Sequence, residues 1–463
     1  MVNDTSQKGL LAELQELVQA HRRAFKQERP YWRAMGLVLG EVFNFGRHTV
    51  TQDLLTLGMI EGDWSGWYRL FSRERFDEEQ LSTCLLEETL KQVQEEELYG
   101  VALDSTVLHR SSLKMPGTSW LRDSRFCAFR AGIHRGQRFV HAAWLPPLEE
   151  GYSRAIPLRF LPALPPKAMA ASVPARTEWE TAGIIGEWLR SGLDRAGRKE
   201  QLILMLADGG FDVLELWRRV PARVILVTRT ARNRRLYCLP KTEAHSGAGR
   251  PASYGERAPQ PSDWLHVGLR NWPSQAVPVR GKTISMRYQL LGPFLREGLP
   301  EKPLFLIVVK GLHRLVGKKK PHYKHRGPSF YLVSAVPAPQ GGWQLPLPMV
   351  TLLTWLWQRW EIEVAHREMK TGFGLGQKQC WNKRSAILSV QWSVWVYAIL
   401  LLAGYRTWGL CSGPPPLRVG GRVRNAGPSP RSGVPTALNC GTNPNFEPFV
   451  PHPPTTGGIF PPG

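Results

Sequence analysis

The sequence predicts a mixed α/β protein with a helical N-terminal region and a β-rich insertion, on three observations. Apolar residues in the first hundred positions recur at helical spacing. Two short apolar runs, 201–207 (QLILMLA) and 222–228 (ARVILVT), flank a helical stretch, as buried strands joined by a crossover do. Between positions 229 and 346 the helix signals vanish, and Pro, Gly, Arg and Trp accumulate.

Residues 8–98 read as helices. Leu10, Leu11, Leu14, Leu17 and Val18 form an apolar stripe, followed by Arg22, Arg23, Lys26, Arg29 and Arg33. The segment 46–58 (GRHTVTQDLLTLG) has a polar start, an apolar body and a glycine stop. It fits either the second helix of a small DNA-binding unit or an ordinary helix of a bundle. Residues 77–97 form an acidic helix suited to a solvated connector. The period then changes. Residues 99–105 (YGVALDS) are a short strand containing Asp104, and 126–133 and 138–145 read as two strands joined by an HRGQ hairpin turn. Helices are expected at 178–193 and 212–219, strands at 305–309 and 330–336, and helices again at 351–370 and 385–402. Residues 411–463 crowd Pro and Gly without any period and are expected to stay disordered. The expected organisation is a helical DNA-binding region (1–98), the first part of the α/β core (99–228), the β-rich insertion (229–346), helices that complete the core (347–410) and the tail (411–463).

Charge narrows the function. The 463 residues carry 60 Lys and Arg against 38 Asp and Glu, a net +22, which points to a polyanionic partner and to nucleic acid before membrane. At 42% hydrophobic, the chain is not disordered by composition. Six cysteines without a CxxC pair exclude a zinc knuckle and favour a reducing, cytoplasmic compartment. The first residues read as an amphipathic helix instead of a signal peptide. Residues 387–404 hold no charge but are interrupted by Ser389, Gln391 and Ser393, as expected of a helix buried in a globular domain, with no membrane involved. Three tempting motifs fail. Gly281-Lys282-Thr283 has Ala276 where a phosphate loop needs its first glycine, Gly372 to Gly376 follows a helix, and His366-Arg367-Glu368-Met369 lacks the zinc-peptidase order.

Three carboxylates occupy telling positions. Asp104 ends the first strand, Asp208 ends the central buried strand, and Glu363 lies on the helix after the insertion. Sites in open α/β sheets form beyond the carboxyl ends of strands. Three converging carboxylates would repel one another unless cations neutralise them, and oxygen-only donors suit Mg²⁺ or Mn²⁺. Arg359, Glu363 and Lys370 lie within about 40° of one another around a helix, so they share a face that could hold phosphates. A basic loop, Lys318, Lys319, Lys320, Lys324 and Arg326 with Tyr323, should project as a hairpin tip onto DNA. Arg229, Arg232, Arg234 and Arg235 form a second basic cluster of the same expected use. His109, five residues past Asp104, could approach the site.

Asp104-Ser105-Thr106, the run LMLADGGFD around Asp208, and RWEIEVAHREMKTGFGLGQ from Arg359 together resemble DDE transposases of the IS4-like group of bacterial insertion sequences. That group's signature is Y-x2-R-x3-E-x6-K. Arg359, Glu363 and Lys370 fill it, while Leu356, flanked by Trp355 and Trp357, stands at the tyrosine position. The 155-position separation of Asp208 and Glu363 matches the group's β-rich insertion, and GRPASYGER (249–257) is similar to a segment common in related transposases. The resemblance implies an RNase H-like core in which Asp104, Asp208 and Glu363 hold two Mg²⁺ or Mn²⁺ ions, with Arg359 and Lys370 as DNA contacts. It implies a transposase that cleaves element ends and joins them to target DNA, acting as a dimer on double-stranded DNA. A metal nuclease of the same fold without strand transfer, and an inactive DNA-binding remnant suggested by the aberrant tail, are the alternatives.

Overall fold

The computed structural model describes residues 9–122, 132–168, 174–240, 252–266, 272–316 and 322–412. The expected tail therefore lies outside the described residues from 413 onward. So do Lys318, Lys319 and Lys320, most of the first strand of the expected 126–145 hairpin, and the start of the GRPASYGER segment.

Five helices come first: α1 (Leu10–Ala20), α2 (Glu28–Phe43), α3 (Val50–Thr56), α4 (Ser65–Ser72) and α5 (Glu78–Leu90). Their starts follow from capping. The Thr49 hydroxyl accepts from the Gln52 N–H at α3, and the Asp77 carboxylate accepts from the Glu79 and Gln80 N–H groups at α5. The core follows, with β1 (Tyr99–His109), β2 (Ser119–Arg122), β3 (Ile133–Leu145), β4 (Ile156–Pro162), α6 (Glu178–Arg195), β5 (Ile203–Ala207), α7 (Leu214–Arg219) and β6 (Val224–Arg229). The expected hairpin at HRGQ is corrected. Residues 133–145 form one continuous strand, antiparallel to β1. Gly136 is there for close packing and not for a turn, since a Cβ on it would meet Val107 Cγ1 at 2.7 Å.

Next come β7 (Leu236–Cys238), β8 (Ser274–Val279), β9 (Lys282–Arg296), β10 (Leu299–Val309), β11 (Leu312–Val316), β12 (His322–Arg326) and β13 (Ser329–Ser334). Among the described residues an eleven-stranded sheet runs β2-β3-β1-β5-β6-β13-β10-β9-β7, with β4 added on β3 and β8 on β9. Its first half has β1, β5 and β6 parallel, with β3 antiparallel to β1 and β4 antiparallel to β3. Strand order β4-β3-β1-β5-β6 with α6 as the crossover before β5 is the RNase H-like arrangement. The insertion prolongs this sheet, because β13 pairs antiparallel with β6. The Gly281-Lys282-Thr283 motif falls at the β8–β9 turn, where Arg280 and Gly281 take φ of 52° and 69°. The basic loop is a β11–β12 hairpin, with Lys324 and Arg326 on its second strand.

The chain closes with α8 (Met349–Gln358), α9 (Glu361–Thr371) and α10 (Ser385–Trp408). The single helix expected over 351–370 is broken at Arg359–Trp360. Helix α10 is long and apolar enough to cross a membrane, yet 94% of its most apolar stretch is buried inside the fold. It lies against α1, α2, α4, α5, β4 and α9, and so joins the N-terminal helices to the core. Its Trp392 packs on Phe71 and Phe76 with centroids 5.8 and 5.6 Å apart. A second link is polar and buried. Lys378, after α9, donates to Glu41 of α2 and Ser393 of α10, both at 2.9 Å, while Asn44 donates to Asp53 of α3 at 2.8 Å.

Candidate active site

Asp208 follows the last residue of β5, whereas the expectation that Asp104 ends its strand is corrected: β1 runs on to His109, and Asp104 stands where its pairing with β5 stops. In the parallel register Leu103 is opposite Ala207, so Asp104 and Asp208 are the next residues on neighbouring strands. Adjacent strands lie about 4.8 Å apart, so the two residues are neighbours, and the Asp208 charge is felt at the Asp104 carboxyl. Asp208 then starts a tight turn, Gly209–Phe211. Asp104 continues into the long arm of β1, where its Oδ1 accepts the Ser105 N–H at 2.8 Å.

Helix α9 supplies the third carboxylate. It packs on β1, and its Ile362, Ala365 and Met369 are buried. Its far side is held by charge. Arg154 pairs with Glu368, which also accepts from Tyr397 of α10 at 2.6 Å, and Arg280 pairs with Glu361. Upstream, α8 is seated by Trp355 over Gly100 of β1, where a Cβ would meet the indole at 2.6 Å. Glu363 thus reaches the Asp104 side of the sheet, with Arg359 donating to it at 3.0 Å. The break before α9 preserves the i, i+4 contact expected between these two.

Electrostatics ties the group together. Burial lifts the Asp104 carboxyl to about 6. The Asp208 and Glu363 charges push the same way, while the Ser105 N–H and Arg359 oppose. Donor chemistry fits a hard divalent cation, since all three groups are oxygen donors and Asp104 carries the cost of neighbouring negative charge. Among the described residues, however, no three His, Cys, Asp or Glu side chains are already drawn into a metal-holding cluster.

The remaining expected residues divide. Lys370 donates to Thr106 at 2.6 Å, two residues past Asp104 and so on the same strand face. The Arg229–Arg235 cluster is partly committed to structure. Arg234 pairs at 2.6 Å with the fully buried Asp212, and Arg235 lies 3.3 Å from Glu297. Asp212, inside the LMLADGGFD run, also accepts from Arg296 at 2.8 Å, Trp217 at 3.0 Å and Thr230 at 2.7 Å. It is a structural anchor between core and insertion. His109 stands 4.0 Å, ring to ring, from His134 on the exposed arm. Sequence reading missed His141, which lies directly across from Asp104 on β3. It also set aside His366, whose Nδ1 is 3.9 Å from Asp104 Oδ2. Burial keeps both rings neutral, holding His366 down to about 3 and His141 well below its ordinary value. Cross-strand register carried the missing information, and no local motif encodes it.

Residues 18–290 match the sequence model of the DDE superfamily endonucleases, and the chain belongs to that family. The matched stretch includes Asp104 and Asp208 and ends ahead of α9. The comparison with curated proteins returns no match. Among solved structures, the chain is similar to the piggyBac transposase in its synaptic complex with hairpin DNA, at 11% identity and a TM-score of 0.37, over 88% of this chain and 77% of that one.

Proposed function

We propose that this DDE endonuclease is a transposase of IS4-like type that cleaves the ends of its element and joins them to target DNA. The observation that carries the reading is the juxtaposition of Asp104 and Asp208 on parallel neighbours, with Glu363 brought over by α9. Asp104, Asp208 and Glu363 would hold two Mg²⁺ or Mn²⁺ ions, which when bound supply Lewis-acid stabilisation of charge on the phosphodiester oxygens. Arg359, at the break before α9, and Lys370, on α9, position the scissile phosphate, and the β11–β12 hairpin extends the contact along the duplex. The active species is a dimer on double-stranded DNA, because two element ends need two sites. The family's endonuclease description favours one second reading, cleavage without joining.

The test is Glu363→Gln. It keeps size and polarity and removes the charge that holds a cation. DNA binding should survive, while Mn²⁺-dependent cleavage should fall by about a thousandfold or more. Near-normal cleavage would show that the three acidic residues are misassigned. Incubating the unmodified protein with element ends and a supercoiled target separates joining from cleavage alone. Binding without either reaction would mark an inactive remnant.

A further inference from the structure

His366 lies one turn after Glu363 on α9, buried, with each ring nitrogen facing a defined neighbour. Nδ1 faces Asp104 Oδ2 at 3.9 Å, and Nε2 is 3.0 Å from Nδ1 of His141. His141 is fully buried, and its own Nε2 is buried without a hydrogen-bond partner among the described residues. Two neutral rings 3.0 Å apart must have one N–H between them, and each ring carries one N–H in all. If His366 donated, His141 would bury an unpaired N–H at its Nε2, and His366 would aim a bare lone pair at a carboxylate. If His141 donates from Nδ1, only a lone pair stays unpaired, and His366 carries its hydrogen on Nδ1, toward Asp104. The second arrangement avoids both costs.

We infer that His366, fixed in its Nδ1–H tautomer by His141, is a positioning residue for Asp104. One carboxylate oxygen is held by the Ser105 N–H and the other is steered by the imidazole. Such outer partners orient a metal-holding carboxylate before its cation arrives. The inference rests on the reading of Asp104 as a metal-holding residue.

The experiment uses the full chain and Mn²⁺ as probe, with affinity read from the paramagnetic resonance of free Mn²⁺ and nicking of a supercoiled plasmid followed against Mn²⁺ concentration. Asparagine places an amide N–H near the position of Nδ1, whereas glutamine places one near Nε2. His366→Leu and His366→Gln should weaken Mn²⁺ binding about 10- to 100-fold, with nicking recovering at high Mn²⁺, and His366→Asn should stay within about threefold of the unmodified chain. Equal losses in His366→Asn and His366→Leu, or no loss in His366→Leu, would overturn the positioning role. Long-range ¹H–¹⁵N correlation spectra of ¹⁵N-histidine protein test it without any variant, because an Nε2–H tautomer at His366 would also overturn it. If Asp104→Asn binds Mn²⁺ like the unmodified chain, the reading of the site itself has failed, and the positioning role falls with it.

Discussion

Single residues in this protein are decided by what they face after folding, and the sequence exposes that unevenly. Asp104 and Asp208 were legible because both end apolar strand runs. Asp212, four residues on from Asp208, looks like an equally good carboxylate in the sequence, yet it is fully buried and receives Arg234 and Arg296. Replacing it with Ala would strand two guanidinium groups, one of them buried. Urea unfolding of Asp212→Ala should show a loss of about 3–5 kcal/mol, far beyond that of a surface aspartate. Asp53 is a second case. Burial lifts its carboxyl to about 7; Glu41 adds to this, while Lys378 and Asn44 oppose it. His48 also faces the Glu41 and Lys378 charges of this cluster. A carboxyl raised on folding binds its proton more tightly in the folded state, so stability falls as pH rises from about 4 to about 7 and levels off above. Asp53→Asn removes that group. Its unfolding free energy should decline less steeply between pH 5 and 7 than that of the unmodified chain, and an identical slope would show that Asp53 does not titrate there.

At the scale of elements, period and apolar runs gave the existence of most helices and strands, while partners and breaks stayed hidden. The turn expected at HRGQ, which has turn composition, falls inside the 13-residue β3, where Gly136 is needed for close packing. The helix break at Arg359–Trp360 leaves no sequence signal, because neither residue is a breaker. Helix α8 is seated on β1 through Trp355 over Gly100, and both are fixed by neighbours on either side. Gly100→Val should therefore displace the indole and lower the thermal midpoint by several degrees, the cost of overpacking being about 1–3 kcal/mol. Because α8 leads directly into α9, plasmid nicking should fall as well. A variant that melts and nicks normally would show that the two helices are seated independently of this contact.

At the scale of the whole molecule, the net +22 is a long-range property that composition alone disclosed. Affinity for a duplex end should drop about a thousandfold between 50 and 200 mM salt, as measured by fluorescence anisotropy, and a flat response would assign the charge to another partner. The route of the chain through the sheet has a further consequence, in time. Asp104 and Asp208 meet once β1 and β5 have paired, but Glu363 is made 259 positions after Asp104, behind the whole insertion. At about 5–20 residues per second, a ribosome needs roughly 10–50 seconds to cover that distance. Within that interval the nascent chain carries Asp104 from the start and Asp208 only from position 208 onward, and on the proposed reading it has no complete site with which to cut until Glu363 is made. Messages that break, or ribosomes that stop, inside the insertion would yield fragments that hold both aspartates and, on that reading, cannot cleave.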